Sequence, residues 1–283
     1  MNGQSNFDRY DLFPAFEEEK LSFEGFLQYV ENVLKGERRM SYSSMKNFRE
    51  AGPFGFMMGR RKAFKETDAV VLGRLTEDLI FDADGVEEKY VIWERRRAGN
   101  EYKAFLQDAQ VNKRTVIKPD LMQKALFYRS RIMSNPEARD IIFATTETQR
   151  ELKFNISGIK HIGYSDAEGK RGYVDFVADL KLVTNKASLR QLEWEIRDRW
   201  FFAQAALYTI GRESVKYYLI VLMQGGRCEV FNVTPQTREI ALKEYIGYLN
   251  QWKQVAEYGR VFEEVWWRGP EYLRPTGDKI LML

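Results

Sequence analysis

From Gly172 to Val183 the chain passes through Tyr173, Val174, Phe176, Val177, Leu180, Leu182 and Val183, a nearly continuous β-favouring stretch that reads as a central strand covered on both faces. Such a strand demands layers packed above and below it, which makes the chain α/β or α+β, with a mixed central sheet flanked by helices. Asp179 and Lys181 interrupt the stretch. Period two puts both on one face, where a charge is costly unless it meets a partner. The acid-x-lysine triplet itself carries little weight, because it occurs six times, also at Glu18/Lys20, Glu87/Lys89, Glu101/Lys103, Glu151/Lys153 and Glu168/Lys170. Its apolar setting singles out Asp179 and Lys181.

Helical spacing predicts an N-terminal arm over 13–34, carried by Phe16, Leu21, Phe23, Phe26, Leu27, Val30 and Val33. Ser41-Tyr42-Ser43-Ser44 reads as a hydroxyl-capped helix start, stopped by Gly52-Pro53. Further helices are expected over 69–81, 118–133 and 136–143, and one long helix over 188–210, ended by Gly211. Strands are expected over 152–164 and 172–183 with Asp166 to Gly169 as the turn between them. A hairpin of 215–223 and 228–233 follows around Gln224-Gly225-Gly226, then a last helix over 238–258. This divides the chain into a helical arm (1–40), a core (41–234) and a C-terminal helix with its tail (235–283).

At 283 residues and 44% hydrophobic, the chain can bury a full core. A net charge of +3, from 44 basic and 41 acidic residues, is too balanced to require a polyanionic partner. Arg60-Arg61-Lys62, with Lys65 beyond, and Arg95-Arg96-Arg97 are dense enough to meet a phosphate backbone, or to be solvated surface. The lone Cys228 excludes a disulfide framework or a four-cysteine metal site within the chain and fits a reducing compartment, with the cytosol as the expected location. No apolar run approaches a membrane span, and the start is too polar for a secretory signal. The single histidine, His161, reads as a surface strand residue, Cys228 as a packed hairpin residue, and Trp266-Trp267 as packing.

A second carboxylate can come from Asp166 if its strand pairs with the 172–183 strand. Asp175, on the same face as Asp179, competes with it. A third acid, Glu77, lies in the 69–81 helix, at a distance that spacing does not fix. Gln204 and Tyr208 stand one turn apart on one face of the next helix, so an amide and a phenol can address the same place.

In this order the motifs resemble the RecE and lambda-exonuclease-like branch of the PD-(D/E)xK nucleases, from about Ser41 to Thr234. Ser41-Tyr-Ser-Ser-Met-Lys-Asn-Phe with Gly52-Pro53 is similar to the family's serine-rich helix and Cys-Pro element, with glycine in place of the cysteine. Gly73-Arg-Leu-Thr-Glu77 is similar to the first metal-site motif, Gly163-Tyr-Ser-Asp166 to Gly-x-Pro-Asp with serine for proline, and Asp179-Leu-Lys181 to (D/E)xK. Gln204-Ala-Ala-Leu-Tyr208 resembles the Gln-x-x-x-Tyr element of RecB-like and RecE-like groups. The resemblance implies Mg2+ or Mn2+ held by Glu77, Asp166 and Asp179, with the Leu180 carbonyl as a further ligand. Lys181 would orient the attacking water and stabilise charge, Gln204 and Tyr208 would support it, and Ser43, Arg60, Arg61 and Lys62 would contact DNA. It implies 5′ to 3′ digestion of duplex ends in phage-type recombination or repair, in a bacterial or phage-infected cytoplasm. A ring-shaped homo-oligomer and a RecT-like annealing partner would follow. Two alternatives stay open: an endonuclease or helicase-associated repair nuclease of the same chemistry, and a non-catalytic DNA-binding or assembly subunit.

Overall fold

The computed structural model describes residues 23–61, 67–183, 188–212 and 214–257. Its first elements are α1 (Phe23–Leu34), β1 (Met40–Ser41), α2 (Tyr42–Arg61) and α3 (Asp68–Phe81). Then come α4 (Val86–Lys89), β2 (Tyr90–Ile92), α5 (Gly99–Val111), β3 (Thr115–Ile117), α6 (Pro119–Ser134) and α7 (Pro136–Phe143). The long strands β4 (Thr145–Ile156), β5 (Ile159–Arg171) and β6 (Val174–Val183) precede α8 (Leu189–Asp198) and α9 (Phe201–Tyr208). The described chain closes with β7 (Lys216–Met223), β8 (Cys228–Asn232) and α10 (Pro235–Glu257). Of the expected N-terminal arm, residues 13–22 lie outside the described residues, as do Lys62, Lys65 and Trp266-Trp267.

One six-stranded mixed sheet organises the molecule, ordered β1-β5-β6-β7-β8 with β4 on β5, while β2 and β3 form a separate parallel pair. Alternation along β6 and β7 sorts the core into two layers. Val177, Val183, Tyr217, Leu219, Val221 and Met223 pack with α1, α2, α8, α9 and α10. Phe176, Ala178, Tyr218, Ile220 and Leu222 pack with α3, α6 and α7. The central, doubly covered strand expected over 172–183 is therefore β6, the middle strand of the order.

Local chemistry sets most helix ends. The Ser41 hydroxyl accepts from the Ser44 amide (3.2 Å) to start α2, Asn135 caps α7 through Ala138 N–H (3.0 Å), and Ser188 with Gln191 forms a capping box on α8. As expected, Gly52-Pro53 stops the first helical stretch of α2: Ala51 (φ −150°) and Gly52 (φ 59°) leave the helical conformation, and Pro53 opens a second stretch as a first turn that needs no amide.

Four expectations are corrected. The strand expected over 152–164 is the end of β4 and the start of β5, which reverse at Ser157-Gly158, both at positive φ (51° and 84°), and pair antiparallel. The 188–210 helix is broken at Trp200, whose φ of 61° ends α8 and lets the indole stack on Tyr245 and Tyr42 beneath the Arg49 guanidinium. The stretch Asp166 to Gly169 is not a turn but the body of β5. Gly169 is needed because the Ala144 carbonyl and the Phe176 ring occupy the place of a side chain, and the turn falls at Gly172-Tyr173. His161 is buried, not at the surface, its ring nitrogens bonded to the Ile159 carbonyl (2.8 Å) and the Tyr245 hydroxyl (2.9 Å). Burial pushes its pKa down to about 4.

The sheet also contains a fork. β4 occupies one edge of β5 along most of its length, so β1 and β6 must share the other. β1 pairs at His161 and Ile162, and β6 at Ala167 to Arg171. Past Ala178, β6 follows β7 alone, which opens a gap between Asp179 and the Gly163–Asp166 stretch. Side-chain alternation in β5 slips there too. Gly163 contacts the α9 layer and Ala167 the α3 layer, although four residues separate them.

Candidate active site

The fork gathers the residues singled out on β5 and β6. Asp179 is 1% exposed and accepts from the Gln204 amide of α9 (3.0 Å). Lys181, two residues along the same face, pairs with the Asp179 carboxylate and lies 3.9 Å from Asp166 Oδ2. The other Asp166 contact is in the plane of the sheet: its Oδ2 accepts from Leu180 N–H (2.9 Å), standing in for the ladder bond that β5 no longer supplies at the fork. Phe201 floors the pocket under the Lys181 ammonium, 5.7 Å from the ring centroid.

Tyr208 completes the α9 side, and its position explains a glycine. A Cβ at residue 163 would fall 2.5 Å from Tyr208 Cε1, so the ring lies directly on the bare β5 backbone. The glycine of one motif and the tyrosine of another thus form a single contact.

Electrostatics follow from burial and crowding. Burial, and then the adjacent Asp166 carboxylate, push the Asp179 carboxyl up to about 8 against the pull of Lys181. Burial alone would lower the Lys181 ammonium, but Asp179 and Asp166 outweigh it and hold it above its usual range. Burial, with Asp179 nearby, raises the Tyr208 phenol to about 12. Two acids against one ammonium leave the fork one negative charge in excess, relieved either by a proton or by a bound cation.

The remaining candidates are placed differently. Glu77 sits on α3, in the opposite layer, where Gly73 lies over Leu182, and its carboxylate accepts from the Gln149 amide of β4. Among the described residues no three His, Cys, Asp or Glu side chains group as a metal site, so the acids brought together are two, Asp166 and Asp179. Asp175 is exposed and pairs with Lys170 (3.7 Å), away from the pocket. Ser43 is exposed at the start of α2, and Arg60 and Arg61 end that helix. In the second basic cluster Arg95 pairs with Glu101, and Arg97 donates to the Val116 carbonyl (2.9 Å), so part of that cluster is structural.

Two features escaped the sequence reading. Tyr42 and Tyr217 flank the pocket: Tyr42 donates to the Arg199 carbonyl (2.8 Å), while the Tyr217 hydroxyl is buried without a hydrogen-bond partner among the described residues. Next along β5, buried Glu168 takes two bonds from Arg212 (3.0 and 2.9 Å), one from Arg150 (2.9 Å) and one from Ser165 (3.1 Å). No local pattern marks Glu168, whose partners come from a facing strand and from the turn after α9.

No protein-family model matches the sequence, and no curated protein matches it either. A crystal structure of a candidate exonuclease from Eubacterium rectale superposes with a TM-score of 0.54 at 15% identity, covering 79% of this chain and 83% of that one. A second solved structure, of SSO0001, covers 65% of this chain and 87% of that one at 15% identity, with a TM-score of 0.26, too low to bear on the fold. The first likeness shows a shared α/β architecture. Among the described residues no helix is long and apolar enough to cross a membrane.

Proposed function

We propose that this chain is a divalent-cation-dependent deoxyribonuclease of the PD-(D/E)xK type. The carrying observation is the fork, where Asp166, Asp179 and Lys181 meet beside Gln204 on a strand otherwise buried on both faces. The donor set suits a hard cation: two carboxyl groups beside one ammonium, with Asp179 pushed above its usual range by burial and by its neighbour Asp166. Asp166 and Asp179 would hold Mg2+ or Mn2+, with the Leu180 carbonyl and Glu77 as further ligands. When bound, such an ion supplies an activated water and neutralises charge developing on the phosphate. Lys181 holds its proton firmly and so acts as a fixed positive group that orients water and stabilises the transition state. Gln204 fixes one Asp179 oxygen and leaves the other toward Lys181.

The finer reading is exonucleolytic: digestion of duplex ends, 5′ to 3′, in phage-type recombination or repair. Ser43, Arg60, Arg61 and Lys62 would take the DNA backbone, a ring of copies would encircle it, and a RecT-like annealing protein would receive the product strand. The test is digestion of end-labelled linear and circular duplexes with Mg2+ or Mn2+ by the full chain and by Asp179→Ala. Linear duplex should shorten from its 5′ ends while circles survive, and the variant should be inert. Equal digestion by the variant, or DNA retention without digestion by the full chain, overturns the proposal.

A further inference from the structure

Between α3 and α6 the chain builds a small unit, β2–α5–β3, whose parallel strand pair is separate from the main sheet. Trp93, just past β2, holds the inner face of α5 ring to ring, at 4.7 Å from Phe105 and 5.5 Å from Tyr102. Polar bonds fasten the unit to α3: Arg74 donates to the Tyr90 and Thr115 hydroxyls (3.3 and 3.4 Å), and Tyr90 donates to Asp78 (2.6 Å). α3 in turn lies over Leu182, the chain neighbour of Lys181, so the unit rides on a helix that covers the site strand.

Its charges are sorted. Residues 94–118 hold seven basic side chains and three acidic ones. Glu101 and Asp108, two turns apart, share one flank of α5, where Arg95 and Arg114 pair with them. Arg97 and Lys118 pair with Asp68 of α3. Arg96, Lys103 and Lys113 are exposed and meet no carboxylate among the described residues. On α5, Lys103 shares its flank with exposed Gln107 and Gln110, one and two turns on, so that side presents an ammonium and two amides. Lys113 adds a backbone signal. Arg114 N–H closes the end of α5 on the Ala109 carbonyl (2.7 Å), a closure in which residue 113 turns left-handed, with φ 53°. Glycine takes that conformation freely, whereas a lysine holds it at a cost in free energy.

We propose that Arg96, Lys103 and Lys113 form a docking surface for the phosphate backbone of duplex DNA, joining Arg60 and Arg61 of α2. Guanidinium, ammonium and amide groups are the donors that phosphate oxygens accept, and they position a duplex without reading its sequence. The rings of the unit are engaged with one another and not offered to bases, which favours a duplex over a single strand. The strained place of Lys113 is explained by what its ammonium reaches outside the fold. This rests on the nuclease reading above.

The test follows a fluorescein-labelled blunt duplex by anisotropy across a salt series, without divalent cation so that binding is read apart from cleavage. The full chain is compared with a triple variant, Arg96→Ala with Lys103→Ala and Lys113→Gly. A second triple variant, Lys35→Ala with Lys153→Ala and Lys243→Ala, removes the same charge from lysines that each pair with a glutamate. The first should bind roughly 10- to 100-fold more weakly at low salt, with a salt slope shallower by about 3, and the second should stay within about threefold of the full chain. Lys113→Gly alone should raise the unfolding midpoint while weakening duplex binding, a pairing that a purely structural lysine would not give. Equal losses in the two triple variants overturn the docking surface, as does a first variant within about twofold of a full chain that digests duplex with Mg2+, and either result leaves the nuclease reading standing. A single strand bound more tightly than the duplex overturns the choice of partner. A full chain that neither binds nor digests duplex overturns both readings.

Discussion

Replacing Gly163 with alanine tests whether the fork is built around the Tyr208 ring. The added Cβ would stand 2.5, 3.2 and 3.3 Å from Tyr208 Cε1, Cζ and Cδ1. Ordinary carbon contact begins near ~3.5 Å, so the ring must retreat by about 1 Å. Tyr208 is buried on the short helix α9, which packs closely against α10, so the helix must move with it. Overpacking of this kind costs about 1–3 kcal/mol, and alanine in place of glycine in a strand returns about 0.5–1 kcal/mol. Mid-range values leave a net loss of about 1 kcal/mol, which corresponds to a midpoint lower by roughly 2–4 °C in calorimetry. Gln204 rides on the same helix, so its 3.0 Å bond to Asp179 should lengthen, and under the proposed nuclease function a misplacement of about 1 Å would cost on the order of 100-fold in rate. Gly247→Ala on α10 is the contrast, since nothing lies within 4 Å of its Cβ position, and it should raise stability by about 0.5–1 kcal/mol. An unchanged or higher midpoint in Gly163→Ala would refute the packing argument.

Other consequences can be measured directly. An unfolded histidine takes up its proton near pH 6.5 and folded His161 only near 4, so the unfolded chain binds more protons in between, and stability should fall by about 3 kcal/mol as pH drops through that window. Urea titrations should show a shallower pH dependence in His161→Phe, and identical slopes would contradict the assignment. Removing Arg212 leaves buried Glu168 with Arg150 as its remaining cation, and Arg212→Ala should lose on the order of 3 kcal/mol in denaturant unfolding; a loss below about 1 kcal/mol would mean water already satisfies that carboxylate. Tyr217→Phe deletes a buried hydroxyl that has no partner, so it should leave stability unchanged or raise it by about 1 kcal/mol, and a marked loss would reveal a missed bond.

The sequence was most legible where physics left one solution. An apolar run as long as 172–183 has to be covered on both faces, and charges at 179 and 181 had to find partners there, which they did in each other and in Gln204. The hairpin tip was misread because Asp-Ala-Glu-Gly has turn composition, yet Gly169 serves close packing and not chain reversal. The helix break at Trp200 was hidden because apolar spacing continues through it, and only the stacking on Tyr42 and Tyr245 gives a reason for the left-handed residue. Gln149 was invisible, since a glutamine in a polar strand announces neither its backbone angle nor a partner on a helix far back in the chain.

The two-residue loop between β5 and β6 carries a constraint of kind at Gly172, whose φ of 61° favours glycine, and otherwise one of length. Tyr173 at its tip is wholly exposed, so its identity is free, but inserting one residue would slide Val174–Val183 by a step against its neighbours. Asp179 and Lys181 would then turn into the greasy space around Leu75 and Ile141, and Ala178 and Leu180 would face Gln204. A single added codon at an otherwise permissive bend would turn the chemistry inside out.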